Sequence, residues 1–169
     1  MTGKFTNRFQ HSLANEIEKL FQKWPKANDL TVNVDINPGS EWRGRPDIWI
    51  GRKNRLNKYD RILSIEIEHK SHQTQAMDNL QQALEWVRNN QRRKATVIHL
   101  INEKSKISED KCIDILQQGY INRFNRFTYD FRQYIVNDGR GSSILAQELT
   151  AKEDFQNLLW QHMLFLEII

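Results

Sequence analysis

The stretch RPDIWIGRKNRLNKYDRILSIEIEHK, from Arg45 to Lys70, decides the fold that this sequence predicts. Two runs rich in β-branched and aromatic residues, PDIWI and ILSIEIEHK, flank a basic segment, which predicts two antiparallel strands joined by a hairpin. Side chains alternate across a strand, so Glu66, Glu68 and Lys70 share one face while the isoleucines between them face a core. Charged side chains on one face of a strand need a chemical reason.

The acidic residues of the two strands suggest that reason. In the predicted hairpin Asp47, in the shorter strand, comes beside Glu68 in the longer one. Two carboxylates at that range repel each other unless a cation lies between them or one is protonated. A hard divalent cation such as Mg2+, for which Mn2+ substitutes, takes oxygen ligands and keeps part of its water shell. Lys70 is placed to hold or polarise a water near a phosphate.

The elements around the hairpin predict an α/β fold, with a central mixed sheet flanked by helices. Apolar residues at helical spacing from Asn7 to Trp24 predict a first helix, and LTVNVDI, Leu30 to Ile36, predicts a strand. After the hairpin, helical spacing returns beyond Ser71, and ATVIHLI, Ala95 to Ile101, predicts a buried strand. The order is helix, three strands, helix, strand.

The rest of the chain predicts additions to this core. We expect a helix from Ser108 towards Phe124, a strand in FTYDFRQYIV, and one long helix from Ser143 to Ile169. The apolar face of the last helix should pack on its own core or on a second copy in a homodimer. That face consists of Leu158, Leu159, Phe165 and Leu166.

Composition narrows the class of protein. With 169 residues, 38% hydrophobic and 27% charged, the chain predicts one soluble domain, with a core at about 7–101 and additions at about 102–169. No apolar run is long enough to span a membrane, and the first residues lack the apolar segment of a signal peptide. Cys112 is alone, which excludes a disulfide framework and a cysteine zinc site. These features favour a cytoplasmic protein without a membrane partner.

Basic segments suggest a nucleic-acid partner. The net charge of +4 is mild, but GRKNRLNKYDR, RNNQRRK and INRFNRF are basic and rich in Asn. Such patches suit a phosphate backbone, although solvated surfaces and core aromatics explain each patch singly as well. We expect the hairpin to lie beside the metal and to meet the backbone. The candidate nucleic-acid-binding residues are Arg43, Arg45, Arg52, Lys53, Arg55 and Lys58.

The pair Pro46-Asp47, followed by Glu68-His69-Lys70, resembles the motif of the PD-(D/E)xK nuclease superfamily, the restriction-endonuclease-like proteins. The resemblance covers roughly residues 7–101 and implies an α-β-β-β-α-β core. It also implies that Asp47 and Glu68 are metal ligands, that the His69 backbone carbonyl is a third, and that Lys70 positions or activates the attacking water.

Two further acidic residues are candidates on the same resemblance. In many members an acid on the first helix completes the site, and Glu16 flanks the apolar stripe centred near Leu13. Glu66 shares the face of Glu68, so it binds a second metal, contacts Lys70 or faces solvent. The His69 side chain points to the opposite face, and we expect it in the core.

The resulting expectation is a magnesium-dependent DNA endonuclease that hydrolyses phosphodiester bonds, with RNA as an alternative substrate. One rival is a catalytically inactive nuclease-fold module that binds nucleic acid or serves assembly. The other is a metal-free α/β interaction protein that docks through NLLWQHMLFLEII. The combination of Asp47, Glu68 and Lys70 favours the enzyme, because an inactive module has no need of so costly a cluster.

Overall fold

The structure, a computed structural model, describes residues 2–34, 46–69, 72–90, 92–117, 121–131 and 140–169, with side chains from residue 8 onward. The strands are β1 (Thr31–Val34), β2 (Ile48–Gly51), β3 (Arg61–Glu68), β4 (Lys94–Asn102) and β5 (Ile121–Tyr129). The helices of the described ranges are α1 (Thr2–Lys23), α2 (Gln73–Asn89), α3 (Glu109–Gln117), α4 (Gly141–Ala151) and α5 (Glu153–Phe165).

The strands form one five-stranded mixed sheet in the order β1-β2-β3-β4-β5. β1, β2 and β3 are antiparallel neighbours, whereas β3, β4 and β5 run parallel. The hairpin between β2 and β3 and the α-β-β-β-α-β order of the first elements are as the sequence predicts. The α/β class is therefore confirmed.

Helices cover both faces of the sheet. On one face α1, α4 and α5 pack on the odd-numbered side chains of β3, so that Phe9, Leu145 and Leu159 join Ile65 and Ile67 in the largest apolar cluster. On the other face α2 and α3 pack on β4 and the start of β3, in two smaller clusters. The even-numbered side chains of β3 therefore lie under α2 and α3 instead of facing solvent.

The element after α3 differs from the expectation. The helix from Ser108 does not reach Phe124, because α3 ends at Gln117 and β5 begins at Ile121. INRFNRFTY mixes polar and apolar side chains without strict alternation, and at the edge of the sheet seven of its nine residues are partly buried. The predicted strand in FTYDFRQYIV overlaps β5 only as far as Tyr129, and its later residues lie largely outside the described ranges.

The C-terminal helix is two helices, not one. Lys152, between α4 and α5, has extended backbone at φ −73° and ψ 126°. The side chain of Gln156 donates to the carbonyl of Thr150 at 2.6 Å, which satisfies an acceptor that the break leaves without a helical partner. Both helices still pack on the protein's own core. Leu159 and Leu166 are fully buried and Leu158 is partly buried, and a homodimer stays a prediction.

None of the helices among the described residues combines the length and the apolar composition needed to cross a bilayer.

A buried histidine makes the stability of the protein sensitive to acid. His162 of α5 is fully buried, and its Nε2 lies 2.9 Å from Oδ1 of Asn125 on β5. Burial, with the charge of Arg123 as the second cause, lowers the pKa of His162 to about 3. The unfolded chain binds this proton near pH 6.5, so protonation in acid favours unfolding.

We expect the free energy of unfolding to fall as pH drops from about 6.5 towards 4, by up to about 1.4 kcal/mol per pH unit from this group. Urea unfolding of His162→Gln should show a flatter pH dependence, because glutamine does not titrate. His11→Gln, at an exposed position of α1, is the matched control and should keep the wild-type slope. Equal slopes in wild type and His162→Gln would contradict this account.

Candidate metal centre

Pairing of β2 with β3 brings three carboxylates to one end and one face of the sheet. Ile48 pairs with Ile65, so Asp47, one residue earlier, is level with Glu66, and Glu68 follows on the same face. Glu66 and Glu68 are only 4% and 1% exposed, whereas Asp47 is partly exposed. The predicted sharing of one face by Asp47 and Glu68 is therefore confirmed, but the nearer neighbour of Asp47 across the strands is Glu66.

Asp47 is held by the strand that it faces. Its Oδ2 accepts a hydrogen bond from the backbone N–H of Ile67 at 2.8 Å. The carboxyl group of Glu66 lies close to that of Asp47, and a hydrogen bond between two carboxyl groups requires one of them to be protonated. Burial raises the pKa of Glu66 well above its usual range, and the charges of Asp47 and Glu68 raise it further. The neutral form of Glu66 is thereby favoured, which lessens the repulsion among the three carboxyl groups.

Glu68 is oriented by helix α2. Nδ2 of Asn79 donates to its Oε1 at 2.9 Å, and Nε2 of the fully buried His99 lies 3.9 Å from the same oxygen. Sequence reasoning missed both residues. His99 could have been found, because it is the one polar side chain inside the apolar run VIHLI, and in the parallel register it lies beside Glu66.

His69 faces the core, as its position in the strand predicts. The side chain is 7% exposed, and its ring stacks on Phe131 with 6.5 Å between centroids. Its backbone carbonyl, the predicted third ligand, accepts a hydrogen bond from Nδ2 of Asn102 at 3.2 Å. A carbonyl oxygen has two lone pairs and can accept from two partners.

The donor chemistry of this cluster fits a hard cation. Asp47 and Glu68 supply carboxylate oxygens, and buried Oε1 of Glu66 has no hydrogen-bond partner. The described residues include no group of three or more His, Cys, Asp or Glu side chains arranged to hold a metal ion. Two carboxylates, a peptide carbonyl and retained waters are nevertheless a set that Mg2+ accepts, since it keeps several waters.

Two expectations about the acidic residues are revised. Glu66 does not face solvent, because α2 covers its side of the sheet and it contacts Asp47. Glu16 lies on α1, which packs on the opposite face, and it pairs with Lys19 at 3.0 Å. The structure therefore does not bring Glu16 into contact with the carboxylates. Lys70, the predicted catalytic lysine, lies outside the described residues.

The basic hairpin is not beside the carboxylates. Asp47 precedes β2 and Glu68 ends β3, whereas the hairpin joins the end of β2 to the start of β3 at Arg61. Arg61 and Glu68 are the two ends of β3, so about 23 Å separate them at roughly 3.3 Å per residue. The expectation that this loop lies beside the metal is wrong. Arg43 and Arg45, the other predicted contacts, lie outside the described residues.

Fold and site together define an α/β protein with a carboxylate cluster at one end of its mixed sheet. No family model, no curated protein and no solved structure matches the chain. The resemblance to the nuclease superfamily therefore rests on the residues of the motif and stays a prediction.

Removing the acid at Glu66 should stabilise the metal-free protein. The pKa of Glu66 is higher in the folded protein than in the unfolded chain. Its contribution to the free energy of unfolding is therefore complete below the pKa of the unfolded chain, and it is lost as pH rises through the pKa of the folded protein. With a chelator present, Glu66→Gln should unfold at higher urea than wild type at pH 8, and the gap should narrow towards pH 5. Glu85→Gln, at an exposed position of α2, is the control. A gap that stays constant with pH would contradict the raised pKa.

Proposed function

We propose that this protein is a magnesium-dependent nuclease that hydrolyses phosphodiester bonds in DNA. The observation that carries the proposal is the cluster of Asp47, Glu66 and Glu68, two of which are almost fully buried. Burying acids is costly unless they are neutralised or bind a cation. Asp47 is the partly exposed member of the cluster, and an ion that it holds could also reach a substrate phosphate.

Each residue has a separate task in the proposed site. Asp47 and Glu68 would hold the ion, with the His69 carbonyl as third protein ligand. Mg2+, when bound, supplies Lewis-acid stabilisation of the phosphate and lowers the pKa of a bound water. The Ile67 N–H orients Asp47 and Asn79 orients Glu68, as hydrogen-bonding partners of ligand carboxylates commonly do. Lys70, two residues beyond Glu68, is expected to orient the attacking water and to balance phosphate charge.

One observation favours a second candidate function. The raised pKa of Glu66 favours its neutral form, which lessens the repulsion without any cation. An inactive module of the same fold, which binds nucleic acid and does not cut it, is consistent with that state. A metal-free interaction protein differs from both, because it should show no metal site that depends on Asp47.

The direct test is a cleavage assay. Purified protein is incubated with linear, circular, single-stranded and branched DNA and with RNA, in Mg2+, in Mn2+ and in a chelator. We expect cleavage of at least one DNA form with metal and none with chelator. Glu68→Gln, purified in the same way, should not cut, and this control excludes a contaminating nuclease. Binding without cleavage of any form supports the inactive module, and cleavage of RNA alone corrects the substrate.

A further inference from the structure

Topology brings two separate basic segments of the sequence to the end of the sheet opposite the carboxylates. β3 and β4 run parallel and start side by side, with Arg61 paired to Lys94. The backbone N–H groups of Arg93 and Lys94 both donate to the carbonyl of Asp60, at 2.7 and 3.1 Å. We call this region the cationic end. Its basic residues are Arg52, Lys53, Arg55, Lys58, Arg61, Arg92, Arg93 and Lys94.

One of these basic residues, Arg92, holds the hairpin against α2. The guanidinium of Arg92 donates to the carbonyl of Tyr59 and lies over the ring of Trp86, 4.8 Å from its centroid. At the tip, Oδ1 of Asn54 accepts from the N–H groups of Leu56 and Lys58 at 2.9 and 3.0 Å. The hairpin is thus tied to α2 at its base and closed by a side-chain turn at its tip.

Two others, Arg61 and Lys94, hold the last residues of the chain against the sheet. Lys94 donates to the carbonyl of Phe165 at 2.8 Å, and Arg61 donates to the carbonyl of Leu166 at 3.2 Å. Arg61 also pairs with Glu167 at 3.0 Å. These carbonyls end α5, where the helix dipole favours cations. Arg61 and Lys94 are therefore structural, and their charges are largely satisfied.

Two cations of this region are left for a ligand. A cavity of about 230 Å3 opens between the hairpin, the start of β4 and the last residues of the chain. It is lined by Arg52, Lys53, Asn54, Asp60, Arg61, Arg93, Glu167 and Ile168. Arg52 pairs with Asp29, but the exposed side chains of Lys53 and Arg93 contact no acceptor in the described part of the chain. Four of the lining side chains are basic and two are acidic.

We propose that this cavity binds one backbone phosphate of a nucleic acid whose scissile phosphate lies at the carboxylates. An arginine guanidinium and a lysine ammonium converging on one cavity are donors suited to phosphate oxygens. The distance of about 23 Å along β3 corresponds to about seven base-pair steps of duplex at 3.4 Å each. The inference rests on the proposed function, since that function places the second phosphate.

The test is nucleic-acid binding in a chelator, where no cleavage occurs. Arg93→Glu and Lys53→Glu are compared with Lys111→Glu, an exposed lysine of α3 that undergoes the same change of charge. On duplexes of about 20 base pairs we expect each cavity variant to lose about tenfold in affinity, and the slope of log K against log salt to fall by about one. Lys111→Glu should bind nearly as wild type.

Measuring affinity for duplexes of different length distinguishes a second specific contact from non-specific electrostatic binding. With Ca2+ in place of the chelator, which gives the carboxylates an oxygen-liganded cation for the second phosphate, wild type should lose affinity steeply when the duplex is shortened below about eight base pairs. It can then no longer span both sites, and Arg93→Glu should lose this step. Equal loss in Arg93→Glu and Lys111→Glu, or no loss in Arg93→Glu, overturns the inference. If wild type cuts DNA while Arg93→Glu binds normally, the inference fails and the proposed function stands. If the cavity variants weaken binding while wild type cuts nothing, only the proposed function fails.

Discussion

Replacing Lys70 with alanine is expected to lower the rate of DNA cleavage by about 10²–10³-fold while leaving DNA binding largely unchanged. Lys70 comes two residues after Glu68, the last residue of β3, and its proposed role is to act on the attacking water and on the charge that develops at phosphorus. These are interactions of the transition state, so their loss lowers the rate of the chemical step and not the affinity for substrate. Single-turnover cleavage and anisotropy titrations measure the two effects separately.

Lys70→Arg is the informative companion of that variant. It keeps the charge but replaces a compact ammonium with a planar fork, so it should bind DNA as wild type does without restoring the full rate. Thermal unfolding of both variants checks that the fold is retained. Cleavage by Lys70→Ala at the wild-type rate would show that the lysine of the motif has no catalytic role, even if the metal site is real.

Replacing Asp47 with asparagine should abolish cleavage and remove the stabilisation that Mn2+ gives to the folded protein. Asparagine keeps an oxygen that can accept from the N–H of Ile67, so the strand pairing survives while a negative metal ligand is lost. At a Mn2+ concentration about 100 times its Kd, wild type should gain about 2.7 kcal/mol of stability, and Asp47→Asn should gain far less. Thermal unfolding with and without Mn2+ measures this gain.

Asp47→Ala separates the two roles of the side chain. It also removes the acceptor for the Ile67 N–H, which should cost about 1 kcal/mol or more of stability without any metal. Asp47→Asn should not show that loss. Equal Mn2+ stabilisation of wild type and both variants would place the metal elsewhere.

The strand pattern predicted the hairpin and the shared face of Asp47 and Glu68, because both follow from alternation along β2 and β3. The end of the sheet at which the hairpin loop lies was predicted wrongly. Because β2 and β3 are antiparallel, the start of β2 and the end of β3, with Asp47 and Glu68, lie at one end of the sheet. The loop that joins the two strands lies at the opposite end. Helix-like spacing near Phe124 was misleading because β5 is an edge strand whose side chains are mixed and half-buried.

The contacts of the site could not be derived from local sequence. Asn79 reaches Glu68 from α2, and His99 approaches it from a neighbouring strand, so both depend on packing between distant segments. The burial of Glu66 has the same origin, since α2 and α3 cover a face that the alternating charges made look solvated. The raised pKa of Glu66 requires that burial as well as the strand register.

The central claim is that Asp47 and Glu68 hold one divalent cation. Diffraction from Mn2+-soaked crystals, recorded at the manganese absorption edge, tests it most directly, because anomalous scattering locates the ion without reference to activity. We expect one strong anomalous peak within ligand distance of oxygens from both carboxylates, with the carboxyl groups of Asp47 and Glu66 moved apart. Crystals that show no peak at this end of the sheet, with these two carboxyl groups still in contact, would contradict the claim.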